Sequence, residues 1–306
     1  MVRISLKVDV DTLRGTLEGV PALLRLFDTY QIRATFLFSL GPDHTGRALR
    51  RVFRPGFLSK VRRTSVASHY GLKTLMYGTL LPGPDIGKRA GDVMRAVAEA
   101  GHEVGIHCYD HIKWQDFVAH RDEAWSRLEM ERAADAFERV FGRKARVHGA
   151  AGWQINPHAL ALEEQMGFDY ASDTRGRCAF YPVLQGVRSR CPQIPTTLPT
   201  LDELIGREDI TEDNVHEYLF AESQYLLPEG QVYTLHAELE GMKLRPVMER
   251  LLVMWRGVQA DIHPIADVFR SLDLEKLPCH QVGWGELPGR SGYLALQGAA
   301  CDSRDG

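Results

Sequence analysis

RISLKVDV (3–10) is an apolar, β-branched run and reads as a strand. EGVPALLRLFDTYQ (18–31) follows with Val20, Leu23, Leu24 and Phe27 at helical spacing, so it reads as a helix. The alternation then repeats. ATFLFSL (34–40) is fully apolar and reads as a second strand. Residues 88–100 carry Val93, Val97 and Ala98 on one face and read as a helix closed by Gly101; HEVGI (102–106) reads as a third strand. A long helix is expected over 121–141. ARVHGA (145–150), FDYAS (168–172), CPQIP (191–195) and QVYTLHA (231–237) read as further strands, separated by helices near 157–166, 213–226 and 246–257. The stretch 174–190 reads as loop, and the Gly-rich GWGELPGRSGYL from 283 as irregular chain.

Strands alternating with helices give parallel strands joined by helical crossovers. The expected fold is therefore α/β, a distorted (β/α) barrel of about seven strands. One domain over 1–295 is expected, followed by a tail at 296–306. It includes an insertion, 41–87, that breaks the alternation after strand two.

Composition narrows the class without naming a chemistry. With 44% apolar and 25% charged residues the chain is that of a soluble globular protein. Its cysteines (108, 178, 191, 279 and 301) are odd in number, widely spaced and without a CxxC. That argues against a disulfide framework and a thiolate zinc site, and suits a reducing cytoplasm. MVRISLKVDVD has no signal-peptide core, and no run of 18 apolar residues suggests a transmembrane span.

Chemistry-bearing residues fall where apolar runs stop. Strand one ends in Asp9-Val10-Asp11 and strand three in His107-Cys108-Tyr109-Asp110-His111. The strand at 145–150 ends in Ala151-Gly152-Trp153, that at 168–172 in Asp173, and that at 231–237 carries His236. In a (β/α) barrel such positions share one rim, the rim where reactive groups sit. Alone, the Asp pair could cap a turn and the two histidines could be surface groups. Together, one carboxylate and two imidazoles make an open three-ligand shell for a catalytic metal such as Zn, Co or Mn. A second carboxylate beside it could take a proton from water, and a separate histidine could protonate a leaving amine.

These motifs resemble the polysaccharide deacetylase (NodB-homology) family. DVDTLRGTLEGVPALL, FSLGPDHTGR, HEVGIHCYDH, AAGW, SDTRG, QIPTTLPTLDELIGR and TLHAELEG further resemble its branch that deformylates a sugar carried on a polyprenyl phosphate, across about 2–295. The resemblance implies Asp9 as general base, Asp11, His107 and His111 as ligands of one divalent metal ion, and His236 as general acid. Asp173 matches the aspartate of the fourth family motif. Two departures stand out: Cys108 replaces the usual Ser or Thr, and HGAAGW lacks the arginine of the third motif. Arg175 is the candidate to replace that arginine. Cys108, next to a site-facing histidine, is expected to point away as an inert thiol. Trp153 is a candidate pocket wall, with core packing as the alternative. Glu238 would bind the product ammonium or cap a turn.

Between Asp43 and Asp85 no acidic residue occurs, while eight Lys and Arg residues do. Leu49, Val52, Phe53 and Phe57 lie at i, i+3, i+4 and i+8 among arginines, and Pro55 opposes one unbroken helix. This basic amphipathic segment suits an anionic membrane surface, each basic residue contributing ~1 kcal/mol. Arg50, Arg51, Phe53, Arg54, Phe57, Arg62 and Arg63 are the expected membrane-facing residues. A solvated lid is the alternative; no nucleic-acid-binding motif accompanies the charge. The expected protein is thus a peripheral enzyme on the cytoplasmic face of the bacterial inner membrane. The resemblance implies a substrate, undecaprenyl phosphate-linked 4-deoxy-4-formamido-L-arabinose, deformylated on the route to aminoarabinose-modified lipid A. Rival readings are a deacetylase of another N-acylated sugar and a non-catalytic lipid- or metal-binding module.

Overall fold

A computed structural model describes residues 1–48 and 72–301. In chain order the elements are β1 (Arg3–Val10), α1 (Val20–Tyr30), β2 (Thr35–Ser39), α2 (Leu72–Met76), α3 (Ile86–Glu99), β3 (Glu103–Cys108), α4 (His111–Phe117) and α5 (Glu123–Phe141). They continue with β4 (Val147–His148), α6 (Pro157–Met166), β5 (Tyr170–Ala171), β6 (Tyr181–Leu184), β7 (Val187–Arg188), α7 (Leu201–Leu204), α8 (Val215–Ser223) and β8 (Gln231–His236). α9 (Arg245–Gly257), β9 (Asp261–His263), α10 (Ile265–Ser271), β10 (Cys279–Gly285) and β11 (Leu294–Ala300) complete the chain.

The main sheet has seven strands in the order β5-β4-β3-β2-β1-β8, with β9 also paired to β1, and its pairings are parallel. β1 is its axis. β8 runs along one edge of β1, from Ile4↔Gln231 to Asp9↔His236. The other edge is shared: β9 takes Arg3 to Ser5, and β2 takes Lys7 to Val10. Alternate side chains sort into two cores, as the pleat requires. Ile4, Leu6, Val8, Val10, Phe36 and Phe38 pack outward with the helices, where Phe27 of α1 meets Phe36 edge-on at 6.1 Å. Leu37, Val147, Tyr170 and Val232 pack together separately on the inner side.

The gap between β5 and β8 is where the expected strand 191–195 should lie. That segment occupies the place of a strand without forming one. Ala171 N donates to Pro192 O and Ile194 N to Ala171 O, while the amides of Thr197 and Leu198 donate to Val232 O. Pro192 and Pro195 have no N–H, so no continuous ladder can form. The barrel is closed here by single bonds, which accounts for its distortion.

Two other expectations are corrected. The loop 174–190 contains the β6–β7 hairpin, and the region after 283 contains strands: β10 and β11 pair antiparallel, and with β6 and β7 build a second, four-stranded sheet. The expected domain boundary at 295 falls inside β11. β11 also fastens to the rim, with Arg175 N donating to Ala295 O and Gln297 N to Arg175 O.

The expected membrane-facing residues Arg50, Arg51, Phe53, Arg54, Phe57, Arg62 and Arg63 lie outside the described residues. The stem of the insertion is described. Asp43 N donates to Pro84 O and Ile86 N to Gly41 O, closing its two ends on each other. Asp43 Oδ2 also accepts from Leu13 N (3.0 Å), which ties the stem to the turn after β1. Among the described residues no helix is long and apolar enough to cross a membrane.

Phe36 is fully buried between Phe27 and Phe38. Replacing it with Ala should cost about 3–5 kcal/mol in denaturant unfolding; a loss well below that range would mean this outer core is loosely packed.

Candidate active site

β1 carries Asp9 in its ladder and Asp11 just past its end, and both are buried. The turn that holds Asp11 is fixed from below by Glu238. Its Oε1 accepts from Asp11 N (3.1 Å), Thr12 N (2.9 Å) and Thr12 Oγ1 (2.8 Å). Burial and the neighbouring Asp11 charge push the Glu238 carboxyl up to about 8. Of the two roles expected for Glu238, the geometry is that of a turn support.

His107 lies in β3 and is 1% exposed. Its Nδ1 faces Gly149 O at 2.6 Å. A carbonyl can only accept, so Nδ1 carries a proton, which leaves Nε2 as the nitrogen able to present a lone pair to a cation. That Nε2 is 3.3 Å from Asp11 Oδ1. His111 is the first residue of α4, a helix capped by Asp110, whose Oδ1 accepts from Lys113 N. Asp110 Oδ2 accepts from His44 Nδ1 at 2.6 Å, so the insertion stem braces the same cap. His111 Nε2 reaches Asp11 Oδ1 at 3.4 Å.

Asp11 Oδ1 is thus buried, has no hydrogen-bond donor, and is approached by two imidazole Nε2 atoms. Burial disfavours its charge, but His111 and His107 outweigh that and hold the carboxyl well below its usual range. The ligating atoms of Asp11, His107 and His111 lie within 4.8 Å of one another. One carboxylate oxygen and two imidazole nitrogens, with no proton donor assigned to that oxygen, fit a divalent cation.

Asp9 and His236 are cross-strand neighbours beside this trio. Asp9 Oδ1 and His236 Nδ1 are both buried without a hydrogen-bond partner. Burial lowers the His236 value, but Asp11, Asp202 and Asp9 together raise it above that of a free histidine. Its backbone N–H donates to Glu240 Oε2 (2.9 Å), and Tyr233 Oη donates to Glu240 Oε1 (2.7 Å).

A second trio, His148, Glu163 and Asp173, also lies within metal-ligating reach and is fully buried. Its hydrogen bonding is of another kind. His148 Nδ1 meets Glu163 Oε1 at 2.8 Å and Asp173 Oδ1 at 3.1 Å. Asp173 further accepts from Ala150 N and from Gln193 Nε2, each at 2.6 Å. This is a closed hydrogen-bonded cluster with a proton at its centre. Burial opposes the imidazolium, but Asp173 and Glu163 raise His148 to about 10; His148 in turn holds Asp173 at about 2 despite burial. Through Ala150 the cluster fixes the corner whose Gly149 O orients His107. A Cβ at Gly149 would lie 2.3 Å from Leu37 Cδ1, so the corner has no room for a side chain.

Arg175 sits differently from expectation, and Trp153 takes the core-packing alternative. Arg175 does not accompany Asp9: its guanidinium donates to both Glu203 carboxylate oxygens (2.7 and 3.0 Å) and to Leu198 O (2.8 Å). The cation placed beside Asp9 is Lys7, whose Nζ is 3.6 Å from Oδ2. Trp153 is 2% exposed, donates to Thr196 Oγ1, and has Lys7, Arg175 and Arg290 over its ring at 5.4, 5.0 and 4.4 Å. It is packed among cations and does not line an open pocket wall. Cys108 is buried on the face of β3 opposite His107, with burial pushing its thiol well up, as expected of an inert sulfur. Sequence reasoning missed Lys7, His148 and Glu163. The alternation of KVDVD places Lys7 on the face of Asp9 and was the available signal for it.

Fold and site together define a distorted parallel (β/α) barrel with a candidate metal centre at the C-terminal ends of its strands. The chain belongs to the polysaccharide deacetylase family, whose model matches residues 4–171. It is 36% identical over 298 residues to a protein of Shewanella sediminis, covering 97% of this chain and 95% of that one. It is 31% identical over 285 residues to one of Wigglesworthia glossinidia brevipalpis, covering 92% and 98%. Both bear the name "Probable 4-deoxy-4-formamido-L-arabinose-phosphoundecaprenol deformylase ArnD". Two solved structures share the fold: a "putative polysaccharide deacetylase" from Mycobacterium smegmatis (17% identity, TM-score 0.63, 93% of this chain and 94% of that one) and the PuuE allantoinase (18%, 0.57, 88% and 90%).

The buried proton cluster makes a pH prediction. His148 and Glu163 both have raised values in the folded chain, so each contributes stability at low pH that is lost as pH rises. For His148 the contribution is full below 6.5 and gone above about 10. Denaturant unfolding at about pH 6 and about pH 10 should show this loss in the wild type and its absence in His148→Gln/Glu163→Gln. Equal pH dependence in both proteins would mean the cluster holds no extra proton.

Proposed function

We propose that this chain is a metal-dependent deformylase. Its substrate is undecaprenyl phosphate carrying 4-deoxy-4-formamido-L-arabinose, and its products are formate and the free amino sugar lipid. Such a reaction belongs to the aminoarabinose modification of lipid A that gives polymyxin resistance. The observation that carries the reading is Asp11 Oδ1 facing the Nε2 atoms of His107 and His111 without a hydrogen-bond donor, with Asp9 and His236 alongside. Substrate identity rests on the likeness to the two named deformylases over nearly the whole chain.

Asp11, His107 and His111 would hold one divalent ion, of the kind Zn, Co or Mn, which would supply Lewis acidity to the site. Asp9 accepts a proton from the attacking water at Oδ1, which has no hydrogen-bond partner, as the new carbon–oxygen bond forms. His236, whose surroundings favour its protonated form, donates a proton to the sugar nitrogen as the carbon–nitrogen bond breaks. Water and amide give formate and amine, and both protons are accounted for. Asp173 acts at a distance, through Ala150 N and the Gly149 corner that orients His107.

The enzyme works as a peripheral protein on the cytoplasmic face of the inner membrane. Support for that comes from the basic, apolar composition of the insertion and from its stem, which joins the loops bearing Asp11 and His111.

Asp9→Ala and His236→Ala should each lower formate release by about 10²–10⁴-fold while keeping bound metal. His107→Ala should lose both metal and turnover. Near-normal turnover in Asp9→Ala would remove Asp9 from the role of base.

A further inference from the structure

Lys7 is a fully buried lysine that the proposed chemistry leaves unused; burial pulls its ammonium below the usual lysine value, while Asp9 and Asp173 raise it. A buried ammonium is tolerated only where it is paired and hydrogen-bonded. Its Nζ donates to Ser172 O at 2.9 Å and lies 3.6 Å from Asp9 Oδ2, with the Trp153 ring 5.4 Å away. The other acid that acts on it electrostatically, Asp173, is already served by Ala150 N, Gln193 and His148. Asp9 is less well served: its Oδ1 has no hydrogen-bond partner, with His107 Nδ1 at 4.0 Å, and Arg175 is occupied by Glu203.

We propose that Lys7 is the positioning residue of Asp9. Its ammonium holds the Asp9 carboxylate turned so that Oδ2 faces the lysine and Oδ1 faces the reacting water. The inference rests on the reading of Asp9 as base. The chain's own geometry explains why a lysine serves. As a compact point charge at 3.6 Å it steadies one oxygen and leaves the other free to take a proton, whereas a guanidinium fork tends to engage both. Residues 7 and 9 share one face of β1, so a rigid strand sets the spacing of the pair.

The test uses the metal-loaded full chain and the formamido-arabinose polyprenyl phosphate in detergent, with formate release measured in single turnover with enzyme in excess. Lys7→Gln should lower the rate at saturation by about 10–100-fold, with half-saturation and bound metal little changed. In an Asp9→Asn background the same substitution should change the residual rate by less than about 3-fold, because the lysine acts only through Asp9. A purely structural role would lower the rate in both backgrounds alike. Lys7→Met, which replaces the buried charge by an apolar chain of similar length, serves the same purpose if Lys7→Gln does not fold. A near-normal rate in the lysine variant, or a loss that multiplies in full with that of Asp9→Asn, overturns the proposal. Normal turnover in Asp9→Asn alone would instead overturn the reading of Asp9 as base.

Discussion

A buried carboxylate oxygen with no hydrogen-bond partner, approached by two imidazole nitrogens, is stable only if nearby positive charge balances it. Asp11 Oδ1 is in that position, 3.3 Å from His107 and 3.4 Å from His111. The surrounding structure can be read as the means of holding these three groups in place. β1 lies at the centre of the sheet, paired along both edges, so the segment leading to Asp11 is among the best fixed in the chain. Glu238 then clamps the turn after it, and the Asp110 cap sets where α4 begins and hence where His111 stands.

The same face of β1 explains why so much charge is buried nearby. Successive odd positions carry Lys7, Asp9 and, past the strand end, Asp11, and each of these needs an opposite charge or a donor. Behind them, His148, Glu163 and Asp173 share protons among themselves and set the Gly149 carbonyl that fixes the His107 tautomer. The two trios look alike as lists of residue types. They differ in hydrogen bonding: one is internally satisfied, the other leaves an oxygen and two nitrogens directed at a common point. That difference separates a structural cluster from a candidate metal centre.

The parallel core was legible because its strands are apolar on a fixed period and its helices amphipathic, as β1 to β3 and α1 show. Placing polar residues at strand ends was enough to gather Asp9, Asp11, His107, His111 and His236 before any coordinates. The second sheet was not legible. β10 contains Gly283 and Gly285, which weaken any strand pattern, and the β6–β7 turn at Gln185-Gly186 has positive φ at both positions without the usual Asn-Gly signature. Within the barrel closure, CPQIP (191–195) reads as a strand from the sequence, but Pro192 and Pro195 break the ladder. Arg175 and Lys7 show the limit of spacing arguments for charged groups. Arg175 is near Asp173 in sequence but turns to Glu203, while Lys7 was passed over as part of an ordinary strand.

The central claim is that the site formed by Asp11, His107 and His111 makes this chain a metal-dependent deformylase. Its most direct test is formate release from 4-formamido-arabinose on undecaprenyl phosphate by purified protein, stripped with chelator and resupplied with one divalent metal at a time. Expected is no release from the stripped protein and recovery with at least one of Zn, Co or Mn. Formate release undiminished by removal of metal would contradict the metal centre, and no release with any metal, in detergent or in liposomes, would contradict the substrate.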